Sequence, residues 1–198
     1  MLLALTAVAL AGAGGPPGST STRGSPPLEP RAEGRRASLV QSDVHISPDE
    51  LIAMVFECDT YPRDVATLGV RAVDSCVVLD RPTPDSVVIY ERTGESLLFS
   101  RRQEVLWIRV VTRTETLLRL EWDLVHQSQT ESGWEGAYAH ALRPDAIRMP
   151  VSHGGWELDI PTHTVKYWIE VGLGGAVPGI FVSDDSLLGL TRAMLAGR

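Results

Sequence analysis

The sequence predicts an α+β domain, a curved antiparallel sheet of about seven strands gripping a C-terminal helix. Three observations predict it. About six strand-like runs follow one another with short connections, which makes an antiparallel meander. Two of these runs alternate strictly: Leu118, Leu120, Trp122 and Leu124 against Arg119, Glu121 and Asp123, and Val165, Tyr167, Ile169 and Val171 against Lys166, Trp168 and Glu170. A period of two marks a sheet with one wet face. An amphipathic pattern after Pro178 is the only element long enough to cover the dry face; Phe181, Leu187, Leu188, Thr191, Met194 and Leu195 share one side of it.

The elements follow in order. Residues 38–46 read as a first strand. Ser47-Pro48-Asp49-Glu50 opens a helix, with Ser47 as cap, Pro48 at the first helical position and Glu50 closing a capping box. Leu51, Met54, Val55 and Cys58 fall on one face of that helix. Pro62 ends it or opens a second short helix to about residue 68. Residues 70–80 form a strand. The segment Arg81-Pro82-Thr83-Pro84-Asp85 is expected to be a turn, since prolines cannot donate to a ladder. Strands follow over 87–93 and 97–112, then the alternating run at 118–124. Residues 130–143 read as loop. Residues 146–160 are extended, with a break or bend expected at Gly154-Gly155, and Gly172–Gly175 stops the last strand.

The chain has 198 residues, 43% of them hydrophobic and 22% charged, so one globular domain is expected and disorder of the whole chain is excluded. A net charge of −7 argues against nucleic-acid binding, which needs a basic face. No apolar run reaches the roughly 18 residues of a spanning helix. All but one of the 18 basic residues are arginine, the exception being Lys166, a bias associated with GC-rich bacterial genomes. Residues 2–11 have the length and apolarity of a signal-peptide core, and Ala11-Gly12-Ala13 matches a cleavage site. Residues 1–13 are therefore expected to be a signal peptide, residues 14–36 a disordered Pro/Gly/Ser-rich spacer, and residues 37–198 the folded domain. The protein is then exported, periplasmic or secreted, and cytoplasmic if the N-terminal segment is not a leader. Cys58 and Cys76 are expected as two buried free thiols, with a disulfide as the alternative in an exported chain.

Three stretches resemble the START/SRPBCC superfamily, the helix-grip (Bet v 1-like) fold of hydrophobic-ligand-binding proteins. They are the corner Asp59-Thr60-Tyr61-Pro62 after the capped helix, Ser100-Arg101-Arg102 before the long central strand, and Gly174-Gly175-Ala176-Val177-Pro178-Gly179-Ile180-Phe181-Val182. The last is similar to the glycine-glycine-x-x-proline entry to the family's gripping helix. The resemblance spans residues 38–198. It departs from the pattern at two places: Arg102 or Gln103 stands where relatives carry an aspartate, and Gly172-Leu173 replaces an aspartate-proline pair. It implies a pocket between sheet and C-terminal helix that binds or transports a hydrophobic small molecule, of lipid chemistry. One fold hosts many functions, so two other readings stand beside it: a polyketide cyclase/aromatase-type enzyme, and a filled-core interaction domain without ligand.

The residues expected to point into that space are Ile89, Trp107, Leu120, Trp122, Trp156, Tyr167, Phe181, Leu188 and Met194. For Trp122 and Trp156, core packing and cavity lining are equally supported, because in such a fold the core is the cavity wall. Arg109 and Arg119 are candidates for an anionic head group at the rim, or simply solvated strand arginines. The five histidines show no metal-ligand spacing, and no nucleophile is paired with a base, so no metal, cofactor or catalytic residue is assigned. The expected partner is a hydrophobic small molecule or lipid. Nucleic acid is not expected, nor a transmembrane segment in the mature chain, and the oligomeric state is left open.

Overall fold

The computed structural model describes residues 34–61, 73–94, 100–125, 134–174, 183–196 and 198. The expected leader, residues 14–33 of the spacer, the helix expected after Pro62, and Phe181 lie outside the described residues.

Strands β1 (Arg35–Gln41), β2 (Val73–Thr83), β3 (Ser86–Thr93), β4 (Arg102–Arg113), β5 (Leu117–Leu124), β6 (Ile147–Arg148), β7 (Val151–Asp159) and β8 (Thr164–Gly172) form one sheet. Its order is β1-β8-β7-β5-β4-β3-β2, antiparallel throughout, with the two-residue β6 pairing parallel to β4. The meander is as the sequence predicts, and β1 returns to pair with the last strand. Helix α1 (Pro48–Phe56) and a 3-10 turn (Cys58–Thr60) lie between β1 and β2; α2 (Trp134–Tyr138) and a second 3-10 turn (Ala139–Ala141) precede β6; α3 (Asp184–Leu195) follows β8.

Both long helices begin as their sequences dictate. Ser47 accepts a hydrogen bond from the Glu50 N–H, and the Glu50 carboxylate accepts from the Ser47 N–H, which completes the capping box. Ser183 caps α3 the same way by accepting from the Ser186 N–H, with Asp184 and Asp185 in the first turn where the helix dipole favours them. The apolar side of α3 is buried at Leu187, Leu188, Thr191, Met194 and Leu195, with Leu190 added.

Cross-strand register assigns the faces, since directly opposed residues share one. One inner row runs Val87, Ile108, Trp122, Gly154, Ile169, Ala37, and a second runs Val110, Leu120, Trp156, Tyr167, Leu39. These residues pack with α1 and α3 into the main core. On the outer face a smaller cluster forms around Val88, Tyr90, Val105, Val125 and Ala141, flanked by Trp107 and Tyr138. The Tyr138 hydroxyl donates to Asp80 at 2.8 Å, and burial together with that carboxylate pushes its pKa up to about 12.

The structure corrects several expectations. Cys58 and Cys76 are joined by a disulfide. Apolar surroundings suit a free thiol and a half-cystine equally, so burial could not decide the pairing. Strand β2 runs through Pro82 to Thr83, and only Pro84-Asp85 make the turn. Proline is tolerated there because β2 is an edge strand and its register slips between Asp80 and Thr83. The break expected at Gly154-Gly155 falls instead at Met149-Pro150, between β6 and β7. The two glycines sit inside a continuous β7. A Cβ on Gly154 would strike the Trp122 ring and the Trp168 carbonyl; one on Gly155 would strike the Trp168 ring and the Leu120 carbonyl. Each glycine lets an aromatic ring from a neighbouring strand lie across the sheet. Part of the expected loop at 130–143 is helical, through α2 and its 3-10 extension. The first strand spans Arg35–Gln41 and does not reach Ile46.

Candidate functional site

Between the inner face and α3 lies a cavity of about 40 Å³. Strands supply Ile89 and Glu91 from β3, Leu106 and Ile108 from β4, and Trp122, Trp156 and Tyr167 from β5, β7 and β8. Helix α3 closes it with Leu190, Thr191 and Met194, and the corner after α1 adds Val55 and Tyr61. That corner is tied to itself and to the sheet: the Tyr61 hydroxyl donates to the Val55 carbonyl at 2.7 Å, and three residues earlier Cys58 is bonded to Cys76 of β2. The Tyr167 ring lies 4.8 Å from that of Trp156, edge on, and 5.6 Å from that of Trp122. The lining is apolar and aromatic apart from Glu91 and Thr191, each 2% exposed, and the two tyrosines.

Of the residues picked from sequence, Ile89, Trp122, Trp156, Tyr167 and Met194 line this cavity. Leu120 and Leu188 are buried in the same core behind the lining. Trp107 is on the opposite face, packed against the outer cluster with the Arg109 guanidinium 4.8 Å from its ring centre. Arg109 and Arg119 are outer-face residues as well, not rim residues. Arg109 pairs with Asp123 at 2.8 Å, and Arg119 pairs with Glu121 at 2.7 Å and stacks over Trp168. Sequence reasoning missed Glu91, Leu106, Ile108, Leu190 and the corner residues Val55 and Tyr61 as lining. Glu91 follows Val87 and Ile89 at steps of two, but β3 is buried on both faces, so its sequence carries no alternation that would assign Glu91 inward.

Arg102 and Gln103 open β4, and both are buried. Arg102 is 5% exposed and reaches backbone oxygens: Nε donates to Leu173 at 2.7 Å, Nη1 to Ser100 at 2.6 Å and Nη2 to Gly174 at 3.4 Å. Burial lowers its pKa. Arg102 thereby ties the start of β4 to the backbone that leaves β8 at Leu173 and Gly174.

A larger open groove of about 580 Å³ lies over β1 and β8, near Arg36, Ser38, His153, Glu170 and Asp184. Its charges pair among neighbours, Arg36 with Glu170 at 2.7 Å and Asp184 with Arg35 at 3.1 Å, which is how a solvated surface behaves. The cavity under α3, lined by buried apolar and aromatic side chains, is the better candidate. Among the described residues no three His, Cys, Asp or Glu side chains converge to hold a metal.

No protein-family model and no curated protein sequence matches the chain. Solved structures do. A STAR-related lipid transfer protein (fragment 25–204) from Xanthomonas axonopodis matches at TM-score 0.55 and 15% identity, over 81% of this chain and 82% of that one. Human STARD10 matches at 0.56 and 13%, over 86% and 67%. The lipid transfer and protein localization domain of human StarD13 matches at 0.51 and 11%, over 82% and 77%. Identities this low speak to architecture alone: the chain has the helix-grip fold seen in these START-domain structures.

Proposed function

We propose that the chain binds a hydrophobic small molecule, of lipid chemistry, between the inner face of the sheet and α3, and carries it. The observation that bears most of the weight is the cavity itself, walled by Trp122, Trp156, Tyr167 and aliphatic side chains, with few polar groups among them. Burying apolar ligand surface there at about 25 cal/mol per Å² drives association. Two of the similar structures are described as lipid transfer proteins or domains, which supports the same reading. The Cys58–Cys76 bond supports an exported protein, since disulfides persist in oxidising compartments.

One observation favours a second reading, a filled-core interaction domain. Ligand sites commonly have about 300–1,000 Å³, and a cavity of about 40 Å³ has room for little more than a water molecule. Carrying a lipid therefore requires α3 or the α1 corner to move outward. Native mass spectrometry of the purified chain, followed by titration of the delipidated chain with a hydrophobic fluorescent probe, separates the two. A co-purifying lipid and saturable probe binding are the expected result. An empty chain that binds no probe leaves the filled core.

A further inference from the structure

The inner face carries two polar atoms that the packing does not satisfy. The indole Nε1 of Trp122 and the hydroxyl Oγ of Ser152 are wholly buried, and neither has a hydrogen-bond partner among the described residues. Both residues are at most 5% exposed. They are neighbours by register: Trp122 faces Gly154 across the β5–β7 ladder, and Ser152 is the next inner-face position along β7. The absent side chain at Gly154 is what lets the Trp122 ring lie over β7. Buried donors are paired in the great majority of cases, and leaving one unpaired is costly. Trp122 is in the cavity wall, and Ser152, two positions along β7 from its register partner Gly154, is buried beyond the lining, so a partner that enters the cavity meets the indole first and reaches the serine only as the space expands.

We propose that Trp122 and Ser152 form the polar end of the ligand site and select a hydrophobic molecule bearing a neutral carbonyl oxygen, as in an ester, ketone or amide. The inference rests on the carrier reading above and adds the ligand's chemistry. The indole N–H can only donate, so the ligand must supply an acceptor. A carbonyl oxygen has two lone pairs and takes both the indole N–H and the serine O–H. Apart from Glu91, Thr191 and the two tyrosines, the rest of the lining is hydrocarbon and aromatic, which accounts for the apolar remainder of the ligand. The cavity as it stands is too small to hold such a molecule, so the ligand reaches the two donors only in an expanded form. A hydrocarbon of the same shape also fills the expanded space but leaves them unpaired, and a site built to donate hydrogen bonds rejects such an analogue.

The test uses 2-acetylnaphthalene and 2-ethylnaphthalene, which differ by a carbonyl group in place of a methylene. Each is titrated into the delipidated full chain, and affinities are corrected for water–octanol partition. The ketone should bind about tenfold tighter after correction. In Trp122→Phe, which keeps an aromatic ring, the preference should fall to about onefold, and in Ser152→Ala it should shrink. In the parent protein the Trp122 indole proton resonance should move downfield with the ketone and not with the hydrocarbon, a readout that needs no variant to fold. Equal corrected affinities, a preference that survives Trp122→Phe, or an unmoved resonance overturns the inference while leaving the carrier reading intact. If neither compound binds, both fall together.

Discussion

The two faces of the sheet are written by the same alternation and stabilised by different physics. The inner rows, from Val87 to Ala37 and from Val110 to Leu39, are aliphatic and aromatic side chains removed from water under α1 and α3. The outer face carries ion pairs, three between neighbouring strands (Arg109 of β4 with Asp123 of β5, Lys166 of β8 with Glu157 of β7, Arg36 of β1 with Glu170 of β8) and one along β5, Arg119 with Glu121. Apolar burial contributes about 1.5–3 kcal/mol for each large side chain, whereas half-exposed pairs contribute about 0–1 kcal/mol each. The comparison implies that the inner face determines whether the chain folds and the outer face keeps its sheet wet.

Adjacent residues on one strand test this most directly. Leu120 is fully buried and Arg119 is half-exposed. Leu120→Ala should cost about 3 kcal/mol in urea denaturation, and Arg119→Ala less than about 1 kcal/mol. Comparable losses would break the distinction between the faces. Leu120→Trp should also destabilise, by about 1–3 kcal/mol, because Leu120 lies behind the cavity lining with no space to grow into.

The disulfide sharpens the comparison by showing how the inner side is closed at the α1 corner. It spans a sequence separation of 18 residues, so reducing it should lower stability by about 3 kcal/mol in the chain-entropy model. Thiol titration of the unfolded, unreduced chain should find no reactive cysteine, and the melting temperature should fall when a reductant is added. The paired glycines give a smaller contrast. Gly154→Ala presses on the Trp168 carbonyl and the buried Trp122 ring, and Gly155→Ala on the Leu120 carbonyl and the Trp168 ring; since backbone cannot swing aside, each should cost about 2–3 kcal/mol, with Gly155→Ala the smaller because the partly exposed Trp168 ring can give way.

The same contrast explains what could be read in advance. Strands β5 and β8 have one wet face, so Trp122 and Tyr167 were assigned inward from alternation alone. Strand β3 is buried on both faces at nearly every position, because α2 covers Val88 and Tyr90 outside while α3 covers Ile89 inside. A strand dry on both sides has no alternation, and its partner β4 inherits the ambiguity. That is why Trp107 was placed in the cavity when it packs outward, and why Ile108 and Glu91 were passed over. The disulfide was unreadable for another reason: pairing depends on where β2 lies against the α1 corner, a long-range distance that no local pattern encodes. The start of α1 is legible to the residue, since capping is local chemistry, whereas the Ser183 cap of α3 is not singled out by the pattern after Pro178.

That local chemistry supplies the smallest predicted effect. Glu50 accepts hydrogen bonds from the Ser47 N–H at 2.8 Å and from the Ser47 hydroxyl at 2.7 Å, and the first of these is the main reason its pKa is held below the ordinary glutamate value. A carboxylate with a depressed folded pKa stabilises the fold at pH above its unfolded value, about 4.3. That contribution is lost as pH falls through the lower folded value. Glutamine can still close a capping box but cannot titrate. The stability difference between the parent and Glu50→Gln should therefore favour the parent at pH 6 and shrink steadily below about pH 4. Ser47→Ala removes the cap itself and should cost about 1 kcal/mol at pH 6, and it should also flatten the dependence on residue 50, since the hydroxyl is one of the two donors. Denaturation of the three proteins across pH 3–6 measures both effects. A Glu50→Gln difference that stays constant with pH would mean that the carboxylate's charge has no part in holding the start of α1.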